Sequence, residues 1–192
     1  MDLDWENVWR SDEITYGFCS LRPLFSLNAQ AIASNAAKLR RRGVTIVSSR
    51  DTTDAMKSGD ERCTPYVVSK PFERCDTDIV VSDGTVLDID GLAVRCIAAP
   101  GHADGLMVYE VTLQNSILWF TGDLIEVGPE CRSLTLGWSG GPDFDRNTYM
   151  QTLRKLSEMQ CDVVLPGHGP TLIEGGKRLI DMAYTKALVE WR

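Results

Sequence analysis

Apolar and polar positions change rhythm along this chain, and the change divides it into two kinds of structure. In the first kind, residues 27–42 (LNAQAIASNAAKLRRR) are rich in alanine and other helix formers, which predicts a helix. Lys38 and Arg40 to Arg42 fill its last turn and Gly43 follows, the placement of charge and glycine that a helix C-terminus favours. The β-branched run at 44–48 predicts a strand, and Asp51-Thr52-Thr53-Asp54 opens a short helix to Ser58 with Asp51 or its neighbour as N-cap. Residues 59–78 are polar, carry two prolines and predict a long connection with one short strand at 66–68. Helix, strand and helix in succession is the alternation that lays helices over a sheet.

From Ile79 the period becomes two. Strands are predicted at 79–81, 85–89, 92–99, 106–111 and 116–121, separated by Asp83-Gly84, Asp90-Gly91 and Gln114-Asn115. Asp-Gly between apolar runs is a strong hairpin signal, so this half reads as an antiparallel meander. Residues 126–145 read as one long glycine- and proline-rich loop, a kind that is usually functional or mobile. A helix over NTYMQTLRKLSEM places Tyr149, Leu153 and Leu156 on one face. A buried strand at 161–165 leads into PGHGP, and a last helix from about 174 to 191 is expected to bury Leu179, Met182, Ala183 and Ala187. Residues 1–26 carry Trp5, Trp9, Tyr16, Phe18 and Phe25 without a period, and read either as a short strand pair or as a docked arm. No repeat or linker interrupts 1–192, which reads as one domain with a divergent N-terminal arm at 1–26.

Composition narrows the function. With 43% hydrophobic and 24% charged residues the chain is ordinary globular material, and a net charge of −7 argues against nucleic-acid or membrane-surface binding. No apolar run approaches a membrane span, and the opening MDLDWENVWRSDE lacks the pattern of a secretory signal, so a cytoplasmic location is expected. Six cysteines without a Cys-x-x-Cys pair read as reduced and scattered, with Cys96 and Cys161 as small core residues.

The chain has only two histidines, and each sits in a Pro-Gly-His turn just after an apolar strand: His102 in PGHADG and His168 in PGHGP. Asp123 lies between them at what reads as the tip of a third strand, LWFTGD. Imidazole and carboxylate are common ligands of zinc and iron, and hydrolytic sites leave a position open for water. Taken singly, each residue is more often a turn or capping residue than a ligand. Their arrangement at successive strand ends makes them candidate metal ligands.

PGHADG, LWFTGDLI and DVVLPGHGP resemble the last three motifs of the metallo-β-lactamase superfamily, over about residues 35–192. The resemblance implies an α/β (α+β) fold, the αββα sandwich of that family, incomplete in its N-terminal half. It implies that His102 binds one metal, that Asp123 bridges two and that His168 binds the other, with Gly101, Gly122 and Gly167 letting them converge. The family's main motif, His-x-His-x-Asp-His, precedes the helix that NAAKLRRRG resembles. Laid on this chain, it falls on Leu27, Ala29, Ala31 and Ile32, and no other histidine exists to replace those ligands. A catalytic zinc normally has three protein ligands. Zinc, iron or manganese is therefore expected to bind weakly if at all.

These features imply a hydrolase homologue, ancestrally acting on an ester, lactone or thioester, with a degenerate metal site and weak or lost activity. The alternative is a non-enzymatic binding or assembly protein that reuses the fold. A third reading is a truncated or rearranged product without selected activity. The expected partners are a small-molecule substrate and a second copy, since missing N-terminal strands would expose sheet surface for that copy, or for the 1–26 arm, to cover. Trp138 and Tyr149 are candidates for a pocket mouth, although Trp138 also reads as packing its own loop. Cys96 near His102 reads as inert because it lies mid-strand.

Overall fold

The computed structural model describes residues 23–25, 33–63, 73–128, 133–169 and 174–191. The expected strand at 66–68, the positions of Leu27, Ala29, Ala31 and Ile32, and the aromatics of the first 18 residues lie outside these. Among the described residues, β1 (Pro23–Phe25), α1 (Ala33–Arg41), β2 (Thr45–Ser49), α2 (Arg50–Ser58) and β3 (Ile79–Val81) form one group. A second group contains β4 (Val86–Ile89), β5 (Leu92–Ala98), β6 (Met107–Leu113), β7 (Ser116–Val127), β8 (Leu134–Leu136), α3 (Arg146–Ser157), β9 (Val163–His168) and α4 (Gly176–Glu190).

The first sheet is parallel, in the order β1-β2-β3. Part of the N-terminal arm is thus a sheet strand, with Phe25 opposite Val47. The second sheet runs β4-β5-β6-β7-β8, with β9 parallel to β7. Alternation in β5 and β6 explains why both faces of this sheet are covered. Val94, Cys96, Met107, Tyr109 and Val111 join the core with Ile46, Val47 and Met56 of the first sheet and α2. Ile97, Val108, Trp119 and Val164 join Leu153, Leu156, Leu179, Ile180 and Ala183 of α3 and α4. The layers are helix, sheet, sheet, helix: an αββα sandwich.

Two hairpins follow their turn residues as expected. Asp90 and Gly91 (φ 52° and 86°) and Gln114 and Asn115 (φ 50° and 67°) take the left-handed conformation of tight two-residue loops. Asp83-Gly84 does not make a hairpin. β3 pairs with β2 in the first sheet, where the Asp78 carboxylate accepts the Ile46 amide at 2.9 Å. Beyond the turn, Cys96 donates to the Thr85 carbonyl in the second sheet. The turn therefore carries the chain between sheets, and the meander begins at β4 rather than at Ile79.

Other boundaries also move. Ser49 caps α2, accepting the Thr52 amide, because Asp51 already lies inside the helix. The basic residues at the end of α1 are used in ion pairs: Arg40 with Asp78 at 2.8 Å, and Arg41 with Glu73. Residues 126–145 are not all loop, since β7 runs to Val127 and β8 pairs with its far end. Met182 is exposed on α4, where Ile180 takes a buried position instead.

Leu153 has no exposed surface and sits between α3 and the second sheet. Leu153→Ala is expected to cost about 2–5 kcal/mol, read as a lowered urea midpoint with an unchanged slope.

Candidate functional site

The turn after β5 is held by α3. Gly101 has φ +122°, and a Cβ there would lie 2.3 Å from the Tyr149 Cα, so the helix backbone rests directly on the glycine. Asp145 donates its amide to the Gly101 carbonyl at 2.9 Å, and the Thr152 hydroxyl donates to the Pro100 carbonyl at 2.7 Å. Asp145 is also the N-cap of α3, accepting from the Thr148 amide. The residues that start the helix therefore also fix the turn carrying His102.

His102 is 3% exposed, and among the described residues neither ring nitrogen makes a hydrogen bond of ordinary geometry. Burial pushes its pKa down, against the pull of the Asp123 carboxylate and the Trp138 backbone. Gly137 packs against it: a Cβ there would come within 2.8 Å of His102 Nδ1 and 2.0 Å of the Asp123 carbonyl oxygen.

Asp123 lies in the interior of β7 and not at a strand tip, because β7 continues past it to Val127. The ladder with β9 slips at Gly122, whose φ is +53°. Gly167 of β9 comes up beneath the carboxylate, where a Cβ would sit 2.4 Å from Asp123 Oδ1. His168 ends β9, half exposed, with Nε2 3.5 Å from the same Asp123 oxygen. Asp123 and His168 are thus brought together, and His102 lies close enough to feel the Asp123 charge.

Glu126 is a site neighbour that sequence reasoning passed over. It pairs in register with His168, and its charge acts on His102 and on Tyr149. The signal was present in the apolar-polar rhythm of DLIEV, hidden by ending the strand at Thr121. On the approach side, Asp143 accepts the Asp104 amide at 3.1 Å, and burial together with Asp143 and Asp51 raises the Asp104 carboxyl.

Tyr149 does not line a pocket mouth. It is fully buried, its hydroxyl donates to the Leu124 carbonyl, and it accepts the Gly137 amide at 3.0 Å. It ties the strand carrying Asp123 to the glycine beside His102. Trp138 is 51% exposed and its ring lies over Gly140, as a loop-packing residue would. Cys96 is completely buried and its thiol is pushed up to about 11, which removes it as a nucleophile.

The donor types suit a transition metal, and a buried imidazole whose nitrogens make no hydrogen bond of ordinary geometry is what a ligand position would leave. The number of donors does not suit a two-metal centre. Among the described residues no three His, Cys, Asp or Glu side chains come together to hold an ion. The segment between β1 and α1, where the main motif would lie, carries no histidine in the sequence.

No family model matches the chain. It is 33% identical over 92 residues to an atrochrysone carboxyl ACP thioesterase of Aspergillus fumigatus, covering 48% of this chain and 25% of that protein. It is 27% identical over 123 residues to a lactamase-like protein of Arthroderma gypseum, covering 57% and 36%. The chain thus spans about a quarter to a third of these curated relatives. Among solved structures, a metallo-β-lactamase of Cronobacter sakazakii superposes with a TM-score of 0.67 at 17% identity, covering 88% of this chain and 66% of that one. A subclass B3 metallo-β-lactamase of Bradyrhizobium japonicum gives 0.65 at 17% identity, covering 88% and 69%. The fold is that of the metallo-β-lactamases, and the sequence matches are to a thioesterase and to lactamase-like proteins. Its relatives include hydrolases.

Tyr149→Phe removes the hydroxyl shared by the Gly137 amide and the Leu124 carbonyl, which keep only their own bond at 3.3 Å, an expected cost of about 0.5–1.5 kcal/mol. Chemical unfolding measures the loss, and hydrogen exchange should show the Gly137 amide deprotected first.

Proposed function

We propose that this chain is a metallo-β-lactamase-fold hydrolase homologue with a degenerate metal site, its hydrolysis weak or lost. The observation that carries the reading is the count of imidazoles. There are two in the whole chain, His102 and His168. Two cannot furnish a binuclear centre whose main motif alone asks for three. His102, Asp123 and His168 are the residues we assign to whatever metal affinity survives, with zinc, iron or manganese as the ion. One solved relative by fold is described as di-iron-bound, with a TM-score of 0.58 and 17% identity over 77% of this chain.

The ancestral substrate class is an ester, lactone or thioester, and the thioesterase among the sequence relatives favours the thioester. The chain's own contribution at such a site is a buried His102 held against Gly137, and the Asp123 side chain packed on Gly167. A substrate carbonyl would approach past Trp138 and the acidic Asp104 and Asp143. With so few donors, activation of water would be poor.

The test is metal analysis of protein purified without chelator or added metal, followed by assays on an acyl thioester and a lactone. Metal well below one ion per chain is expected, with turnover near the uncatalysed rate and unaffected by His102→Ala. Near-stoichiometric metal, with turnover abolished by His102→Ala, would overturn the proposal.

A further inference from the structure

β3 is the end strand of the first sheet among the described residues, hydrogen-bonded on one side only, to β2. Exposed strand edges are normally blunted by charge, proline or a bulge. Ile79-Val80-Val81 has none of these, and Ile79 and Val80 are each 40% exposed on a strand whose third residue, Val81, is buried. Val86, on the end strand β4 of the second sheet, is 60% exposed. The turn at Asp83-Gly84 links these two strands, so both sheets end on the same side of the sandwich.

The sequence around this edge is self-complementary in one arrangement. We propose that β3 pairs antiparallel with β3 of a second copy of this chain about a two-fold axis at Val80, joining the two three-stranded sheets into one of six. In that register Ile79 lies opposite Val81 of the second copy, on the face carrying the buried Val81, and Val80 meets its own mate on the other face. Asp78 lies opposite Ser82 of the second copy, and Thr77 opposite Asp83, so each carboxylate faces a hydroxyl and no like charges oppose one another.

Both carboxylates are neutralised within their own copy. Asp78 pairs with Arg40 at 2.8 Å and Asp83 with Lys155 at 2.9 Å. At each end of the joined strands, one Asp78–Arg40 pair meets one Asp83–Lys155 pair, two charges of each sign. The contact is isologous and closes as a dimer, consistent with a strand too short to template further growth. It depends on no metal and on none of His102, Asp123 and His168, so it stands or falls apart from the reading of the site.

Sedimentation of the full chain across micromolar concentrations tests it, with two variants at the axis. A reversible dimer is expected. Val80→Lys sets two ammonium groups face to face and should weaken the dimer about tenfold or more, with the circular dichroism spectrum unchanged and the unfolding midpoint lowered only at concentrations where the unsubstituted chain is dimeric. Val80→Cys should give a covalent dimer on mild oxidation that the unsubstituted chain does not form, which also covers the case of a misfolded lysine variant. A monomer at every concentration, including one in which another segment of the chain covers this edge, overturns the proposal. So does a dimer that Val80→Cys fails to trap.

Discussion

The arrangement of the site depends on one close approach, the backbone of α3 lying directly on Gly101. No side chain separates the helix from the turn. That leaves the Asp145 amide within reach of the Gly101 carbonyl, and the Thr152 hydroxyl within reach of Pro100. The same approach drives Tyr149 through the outer core until its hydroxyl reaches Leu124 and Gly137. A helix docked this way positions three separate pieces of chain at once: the His102 turn, the strand carrying Asp123, and the loop entering at Gly137. These polar groups are paired with one another across three segments, which gives the arrangement a single geometry.

Gly101, Gly122 and Gly167 still shape the turns and the strand slip that bring His102, Asp123 and His168 towards one region. The donors that would complete a metal centre are missing from a chain with two histidines. The glycines serve the packing of α3, β7 and β9 as much as any ligand, so the fold itself retains them. Coordinating side chains have no such second duty.

Much of the architecture was legible because the signals were local. Left-handed turn residues marked the β4–β5 and β6–β7 hairpins, and helical spacing marked α3 with Tyr149, Leu153 and Leu156 buried. The errors came where two segments distant in sequence compete for the same residue. Asp83-Gly84 has the composition of a hairpin turn, yet Asp78 commits β3 to β2. Met182 fits a helical face, yet α4 turns Ile180 inward instead. Tyr149 looked like a rim aromatic, and its hydroxyl proved to be satisfied by two backbone groups far away in the chain.

By itself the sequence determined the kind of layers this protein has and which few side chains, His102, Asp123 and His168, are candidates for holding a metal, because periodicity and residue identity are properties of the chain alone. It also marked both Pro-Gly-His stretches, although only the first is a turn; Pro166, Gly167 and His168 continue the strand β9. Tertiary structure decided that Asp123 sits within a strand and not at its tip, that Glu126 shares its neighbourhood, and that His102 is buried between the Asp123 strand and Gly137. Those facts follow from the slip between β7 and β9 and the docking of α3, contacts between segments whose spacing in sequence carries no record of their meeting.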